Sequence, residues 1–265
     1  MKRVIAIIAV VALAGAFSVY GEEKELISTP SGSGSAPEAT GGPDAFGYTW
    51  SDQAEADCAY SFVDISATGT DLGDGDDEAF QVTLGIGGVD FYGTIYTDVY
   101  AVTNGFISTD NNGGDLTNDC PLPASPSTGA GARMYALHDD LDVDPLCSDC
   151  AVYWQYFAVC PRPNDEGLGV LGCDVIQWDA QHYSGGSGPY TERFQTIIYE
   201  TREIVTQVDI CTECGDGSTT GIQDETATIG LTYACNTAAS VPAGTAVCFF
   251  HPNPVPVNLM SFDIE

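Results

Sequence analysis

The stretch FYGTIYTDVYAVTNGFISTD, from Phe91 to Asp110, decides the fold. Tyr, Val, Ile and Phe crowd it, and such side chains suit a pleated surface buried on one face. Asn104-Gly105 interrupts them. Asn-Gly supplies the left-handed backbone that a tight hairpin needs, so the stretch predicts two antiparallel strands turning at that corner. The same texture spreads outward from Tyr48. Strand-like runs include SFVDI (61–65), AFQVTLGI (79–86), AVYWQYFAV (151–159), DVIQWDA (174–180), ERFQTIIYE (192–200), EIVTQVDI (203–210), ATIGLTY (227–233) and TAVCFF (245–250), separated by Gly, Asp, Asn and Pro clusters. Thr201-Arg202 reads as a tight hairpin between two long strands. In EIVTQVDI, Ile204, Thr206, Val208 and Ile210 share one face, and Val205, Gln207 and Asp209 share the other. No window has the period of a three-turn helix. Many short strands without helices between them predict an all-β fold, a disulfide-stapled antiparallel β-sandwich of jelly-roll type.

The flanks have a different character. Residues 1–21 read as a signal peptide. Lys2 and Arg3 precede the apolar run from Val4 to Phe17, and Val19-Tyr20-Gly21 fits a small-residue cleavage site. The run is short of the about 20 apolar residues that span a bilayer. Residues 22–43, containing STPSGSGSAPEATGGP, read as a flexible Gly/Ser/Pro tether. The sandwich is expected over 44–250. Residues 251–265 then form a Pro-rich connection and a C-terminal strand. In that last segment Met260, Phe262 and Ile264 alternate with Ser261 and Asp263. Such a strand pairs with its own domain, or adds to the open edge of a second copy through Asn258 to Glu265.

Charge narrows the partners. The chain carries 38 acidic and 7 basic residues, a formal net charge of −31. Loss of Lys2 and Arg3 with the leader makes it more negative still, and Lys24 in the tether is then the last lysine. Such a surface repels nucleic acid and anionic lipid and attracts cations. The mature chain is expected to have no membrane span. Its expected partners are an extracellular or cell-surface protein or glycan.

Ten cysteines in an exported chain read as disulfides. Cys147/Cys150 and Cys211/Cys214 form two CxxC pairs. Their spacing also fits a four-cysteine zinc site, which the oxidising address disfavours. Cys160/Cys173 and Cys235/Cys248 each bracket twelve residues between apparent strands and read as hairpin staples. That leaves Cys58 with Cys120, although spacing alone does not fix connectivity.

Through most of its length the chain resembles a secreted β-sandwich module of bacteria, related in motif to the nidogen-like extracellular domain. The resemblance lies in DISATGTDLGDGDDEAFQVTLGI (64–86), FYGTIYTDVYAVTNGFIS (91–108), HDDLDVDP (138–145), VYW (152–154), VIQW (175–178), RFQTIIYE (193–200) and ATIGL (227–231), in the family's order. His138 stands where the family usually has an aromatic. The resemblance implies a non-enzymatic extracellular module.

Candidate chemistry is sparse. Asp140, Asp142 and Asp144 form D-x-D-x-D, the first half of a calcium loop, but Pro145 and Ala151 occupy the positions of its glycine and closing glutamate. Asp74, Asp76 and Glu78 form a second oxygen-rich turn, and 110–115 a third. The first two read either as ordinary acidic turns or as calcium ligands, calcium being the one cofactor the sequence suggests. His138 beside Asp139 suggests a base and its orienter, with no Ser or Cys to complete them. No G-x-S-x-G or H-E-x-x-H occurs. The aromatics of 152–157 and 176–178 suit either core packing or sugar stacking. The leading expectation is a non-enzymatic secreted or surface structural and adhesion module, calcium-stabilised or self-assembling. The alternative is a carbohydrate-binding module or a hydrolase of extracellular polymers.

Overall fold

The computed structural model describes residues 39–144, 146–183 and 188–254. Eighteen strands follow one another without a helix among the described residues. The first nine are β1 (Thr40–Gly41), β2 (Thr49–Asp52), β3 (Thr70–Gly73), β4 (Gly75–Asp76), β5 (Ala79–Thr83), β6 (Val89–Phe91), β7 (Thr94–Tyr96), β8 (Asp98–Val102) and β9 (Phe106–Ser108). Then come β10 (Arg133–His138), β11 (Leu141–Val143), β12 (Ala151–Phe157), β13 (Cys173–His182) and β14 (Glu192–Tyr199). The last are β15 (Ile204–Ile210), β16 (Thr219–Gln223), β17 (Gly230–Cys235) and β18 (Thr245–Phe250).

Two antiparallel sheets carry the sandwich. The larger runs β1-β2-β18-β15-β14-β13-β11-β4, and β12 pairs beside β11 along the same edge of β13 before passing the ladder to β3. The smaller runs β17-β16-β10-β9-β8-β5. The opening stretch supplies two hairpins. Tyr92-Gly93 joins β6 to β7 with positive φ at both residues (51° and 81°), the backbone of a type I′ turn. Thr103-Asn104-Gly105 joins β8 to β9. A Cβ at Gly105 would lie 2.3 Å from the Leu137 carbonyl oxygen, so glycine is required there by contact as well as by its φ of 78°.

The main core lies between the sheets. Ile176 and Trp178 of β13, Phe194 and Ile198 of β14, and Ile204 and Val208 of β15 face Val99, Ile107, Met134 and Ile222 of the smaller sheet. Trp178 stacks on Phe194 with ring centroids 5.2 Å apart, and its Nε1 donates to Val102 O across the sandwich at 2.7 Å. Each such burial contributes about 1.5–3 kcal/mol.

The outer face of the larger sheet is also covered. Val175, Ile197, Val205 and Ala246 pack there with Val63 and Ile65. Residues 61–65 read as a strand in the sequence, yet they form no ladder. They are a strap laid across β15, β14 and β13. Gln177, Gln195 and Gln207 stand in register on those three strands and are fully buried. Gln207 accepts from Ser61 N at 2.6 Å, and Gln177 accepts from Ile65 N at 2.9 Å. With its amide oriented so that nitrogen faces Val63 O (2.9 Å), Gln195 accepts from Val63 N at 3.0 Å. Side-chain amides therefore satisfy alternate backbone groups that a neighbouring strand would otherwise take.

The ten cysteines form five disulfides, and two pairings differ from the sequence expectation. Cys58 joins Cys248, and Cys120 joins Cys235. The expected Cys235–Cys248 staple fails because β17 and β18 lie in different sheets, so the segment between them crosses the sandwich rather than closing a hairpin. Cys248 is instead next to the start of the strap, which takes Cys58 away from Cys120. Cys160–Cys173, Cys147–Cys150 and Cys211–Cys214 close locally. At the N-terminal side, Thr40 and Gly41, within the stretch read as tether, pair with β2. The C-terminal strand expected in 251–265, with the assembly segment from Asn258 to Glu265, lies outside the described residues beyond Pro254.

Candidate metal centre

Strand pairing brings two separately predicted acidic turns together. β4 lies antiparallel to β11, with Asp76 opposite Asp142 and Gly75 opposite Val143. Asp76, Asp77 and Asp140 each place a carboxylate oxygen within 4.8 Å of the others. Asp77, which the sequence reading passed over, is held there by the backbone. Its φ is 60°, and its Oδ1 accepts from Asn104 Nδ2 at 2.7 Å. The buried Asn104 also accepts from Leu141 N at 2.9 Å through its side chain. The hairpin corner thus positions both the β10–β11 bend and one carboxylate of the cluster. The only sequence signal for this double role was the Asn itself, where Gly or Asp would also have made a turn.

The other expected ligands divide. Asp142 and Asp144 spend one oxygen each on their own turn, accepting from Asp144 N at 2.7 Å and Leu146 N at 2.6 Å. Asp74 and Glu78 are exposed and outside the cluster. The electrostatics reflect crowding. Partial burial, then the charges of Asp77, Asp142, Asp140 and Asp144, raise the Asp76 carboxyl above its ordinary value. Burial and the Asp77 charge do the same at Asp140, and burial and Asp144 at Asp142. A cation seated among Asp76, Asp77 and Asp140 relieves that repulsion.

Most of the remaining sequence candidates are taken up by structure, although Tyr156 stays exposed. His138 is fully buried, with Nδ1 2.9 Å from Asn104 O and Nε2 3.2 Å from Thr117 O, so neither ring nitrogen is free to act as a base. Asp139 turns away from it toward His182. Of the aromatics, Trp178 is core, and Trp154 donates through Nε1 to Asp174 at 2.9 Å. Tyr156 lies over Gly85, where a Cβ would come 2.2 Å from its ring. Both CxxC pairs are disulfides, which removes the thiolates that a zinc site built from four cysteines needs.

The fold and its bonds define a disulfide-stapled antiparallel β-sandwich of extracellular type. Its sequence matches the NIDO-related family model over residues 48–252, and the chain belongs to that family. The kinship to nidogen-like extracellular domains is distant. Neither the curated proteins nor the solved structures include a match.

Proposed function

We propose that this chain is a non-enzymatic module, exported by its leader, that serves structure or adhesion outside the cell or at its surface, with calcium at the β4–β11 junction stiffening it. The observation that carries the reading is the family match, which spans nearly all of the described sandwich. Kinship to a non-catalytic module argues against an enzyme. The acidic junction supports the calcium part, since Asp76, Asp77 and Asp140 converge where the ends of β4 and β11 meet, and Asp76 is exposed to solvent. Three carboxylates completed by water suit the weak affinity of extracellular calcium modules, a Kd of about 10⁻⁴–10⁻³ M. At ten times Kd such a site stabilises by about 1.4 kcal/mol. The partner is a surface protein, a glycan, or a second copy reached through Asn258 to Glu265.

The test has two arms. Native protein is located on cells, in the medium or in fibres, and the material that co-purifies is identified. Confinement to the cell interior overturns the reading. Melts are then recorded with calcium, magnesium or chelator at fixed ionic strength. Calcium is expected to raise Tm more than magnesium in the native chain and not in Asp77→Asn. Equal shifts from both cations would reduce the junction to ordinary screening.

A further inference from the structure

A second constellation lies beside the first and differs from it in kind. Asp139 sits in the bend between β10 and β11, His182 ends β13, and Glu213 stands between Cys211 and Cys214. His182 Nε2 is 3.3 Å from Asp139 Oδ2 and 3.6 Å from Glu213 Oε2. One donor atom from each of the three lies within 4.8 Å of the other two. Ligands at about 2.0–2.2 Å around a tetrahedral zinc ion stand about 3.4 Å from one another. The two measured edges bracket that value. An imidazole excludes a preference for calcium, whose ligands are oxygens, and suits zinc and its neighbours.

A second observation points the same way. Behind the triad is a cavity about the size of one water, lined by Asp139, His182 and Glu213 together with Glu192 and Ser218. Glu192 and Ser218 are 2% and 3% exposed. Glu192 Oε2 and Ser218 Oγ have no hydrogen-bond partner among the described residues. Two residues lining this cavity thus each carry a buried oxygen without a partner, a deficit that a polar occupant would meet. The other Glu192 oxygen, Oε1, accepts from Thr212 N at 2.9 Å and from the Thr212 hydroxyl, which holds the CTEC ring against β14. His182 and Glu213 remain partly open to solvent, so an ion has a way in.

We propose that Asp139, His182 and Glu213 bind one zinc-class divalent ion, with a water held toward Glu192 and Ser218 as its fourth ligand. The CTEC motif then serves zinc through its glutamate. Its disulfide closes the four-residue ring that presents Glu213, and its sulfurs stay off the metal. The ion ties together the β10–β11 bend, which links the two sheets, the end of β13 and the loop after β15, a structural clamp at one end of the sandwich. The site does not depend on the calcium reading, because Asp140, the next residue after Asp139, belongs to the other cluster.

The experiment uses the full oxidised chain with zinc chloride in a large excess of calcium, which saturates the general acidic surface. Calorimetry and metal analysis are expected to find one zinc per chain, and melts to find a higher Tm. His182→Ala should abolish this binding, and Glu213→Gln should weaken it by at least roughly 10-fold, the lower bound for groups that only orient a metal's ligands. Glu213 is about half exposed and lies in a loop, so that variant keeps the fold even where His182→Ala does not. Asp77→Asn should leave zinc binding unchanged. Cobalt(II) should give visible ligand-field bands without thiolate charge transfer. Wild-type zinc affinity in Glu213→Gln, full competition by calcium, or a thiolate band with cobalt would each overturn the proposal.

Discussion

Glu203 shows how an interior carboxyl contributes to the response to pH. It is fully buried; its Oε2 accepts from Asp165 N at 3.0 Å, while its Oε1 has no hydrogen-bond partner among the described residues and lies 3.9 Å from Arg162 Nη1. Arg162 is closer to Asp165, at 2.5 Å. Burial first, then the neighbouring Asp165, pushes the Glu203 carboxyl well above its ordinary value. The folded chain therefore holds this proton at pH values where the unfolded chain has lost it. Its stability falls as pH rises from the ordinary glutamate range, about 4.3, toward the raised folded value. Glu203→Gln retains an acceptor for Asp165 N and has no proton to lose. The variant should show a smaller drop in Tm between mildly acidic and mildly alkaline buffer, and higher stability than the native chain at the alkaline end. An unchanged pH profile would place the slope elsewhere, and melts across pH read it directly.

At the scale of elements, the strap over the larger sheet depends on a row of glutamines rather than on a ladder. Gln195→Leu keeps roughly the volume and removes both partners of Val63. It should cost about 2–3 kcal/mol, since backbone N–H and C=O groups are left buried and unpaired. Amide exchange at Val63 should accelerate well before that of β14, and a uniform acceleration across β14 would show that the strap is not held independently. This row also marks where the sequence stops being readable. Hairpins at Asn104-Gly105 and Thr201-Arg202 were legible because turn chemistry and β-branched runs agree. Residues 61–65 look like a strand because their backbone is extended, but side chains do not tell which partner takes the hydrogen bonds. β10 was illegible because Ala, Met and Leu in MYAL favour helix locally, and burial on both faces erases any alternation. β16 carries a glycine, Gly221, where a Cβ would strike Leu231 O at 2.5 Å. The acidic turns were legible as acidic. That β4 and β11 pair, and that Asp139 and Asp140 point into different clusters, depends on contacts across the sheet.

At the scale of the whole molecule, the positive charge of the described residues is turned inward. No lysine lies among the described residues, and all four arginines there are paired. Arg133, fully buried over the Phe106 ring, meets Asp115 and Asp119. Arg193 meets Asp179 at 3.1 Å, and Arg202 meets Asp90 at 3.3 Å. The exterior is left with carboxylates that repel one another. Salt shortens the reach of that repulsion from about 10 Å at 0.1 M to about 3 Å at 1 M and leaves the buried pairs largely unscreened. Tm should therefore rise with sodium chloride over this range. A fall would mean that exposed ion pairs outweigh the self-repulsion, and a melting series in salt at fixed pH decides between them.

The bond from Cys58 to Cys248 determines how this module carries load. It spans a sequence separation of 190 residues and joins the start of the strap to β18, which itself pairs with β2 near the other end of the described chain. Tension applied at the two ends passes through β2, the sulfurs and the last residues of β18, and bypasses the enclosed sandwich. The module then behaves as a short inextensible link. Pulled singly, the oxidised chain should release only the residues outside the loop. After reduction the loop should add roughly 600–700 Å of contour length, at about 3.3–3.6 Å per residue. A long extension from the oxidised chain would remove this force path. Under such a pull the sulfurs bear the load while both candidate metal clusters, which lie inside the loop, stay unstretched.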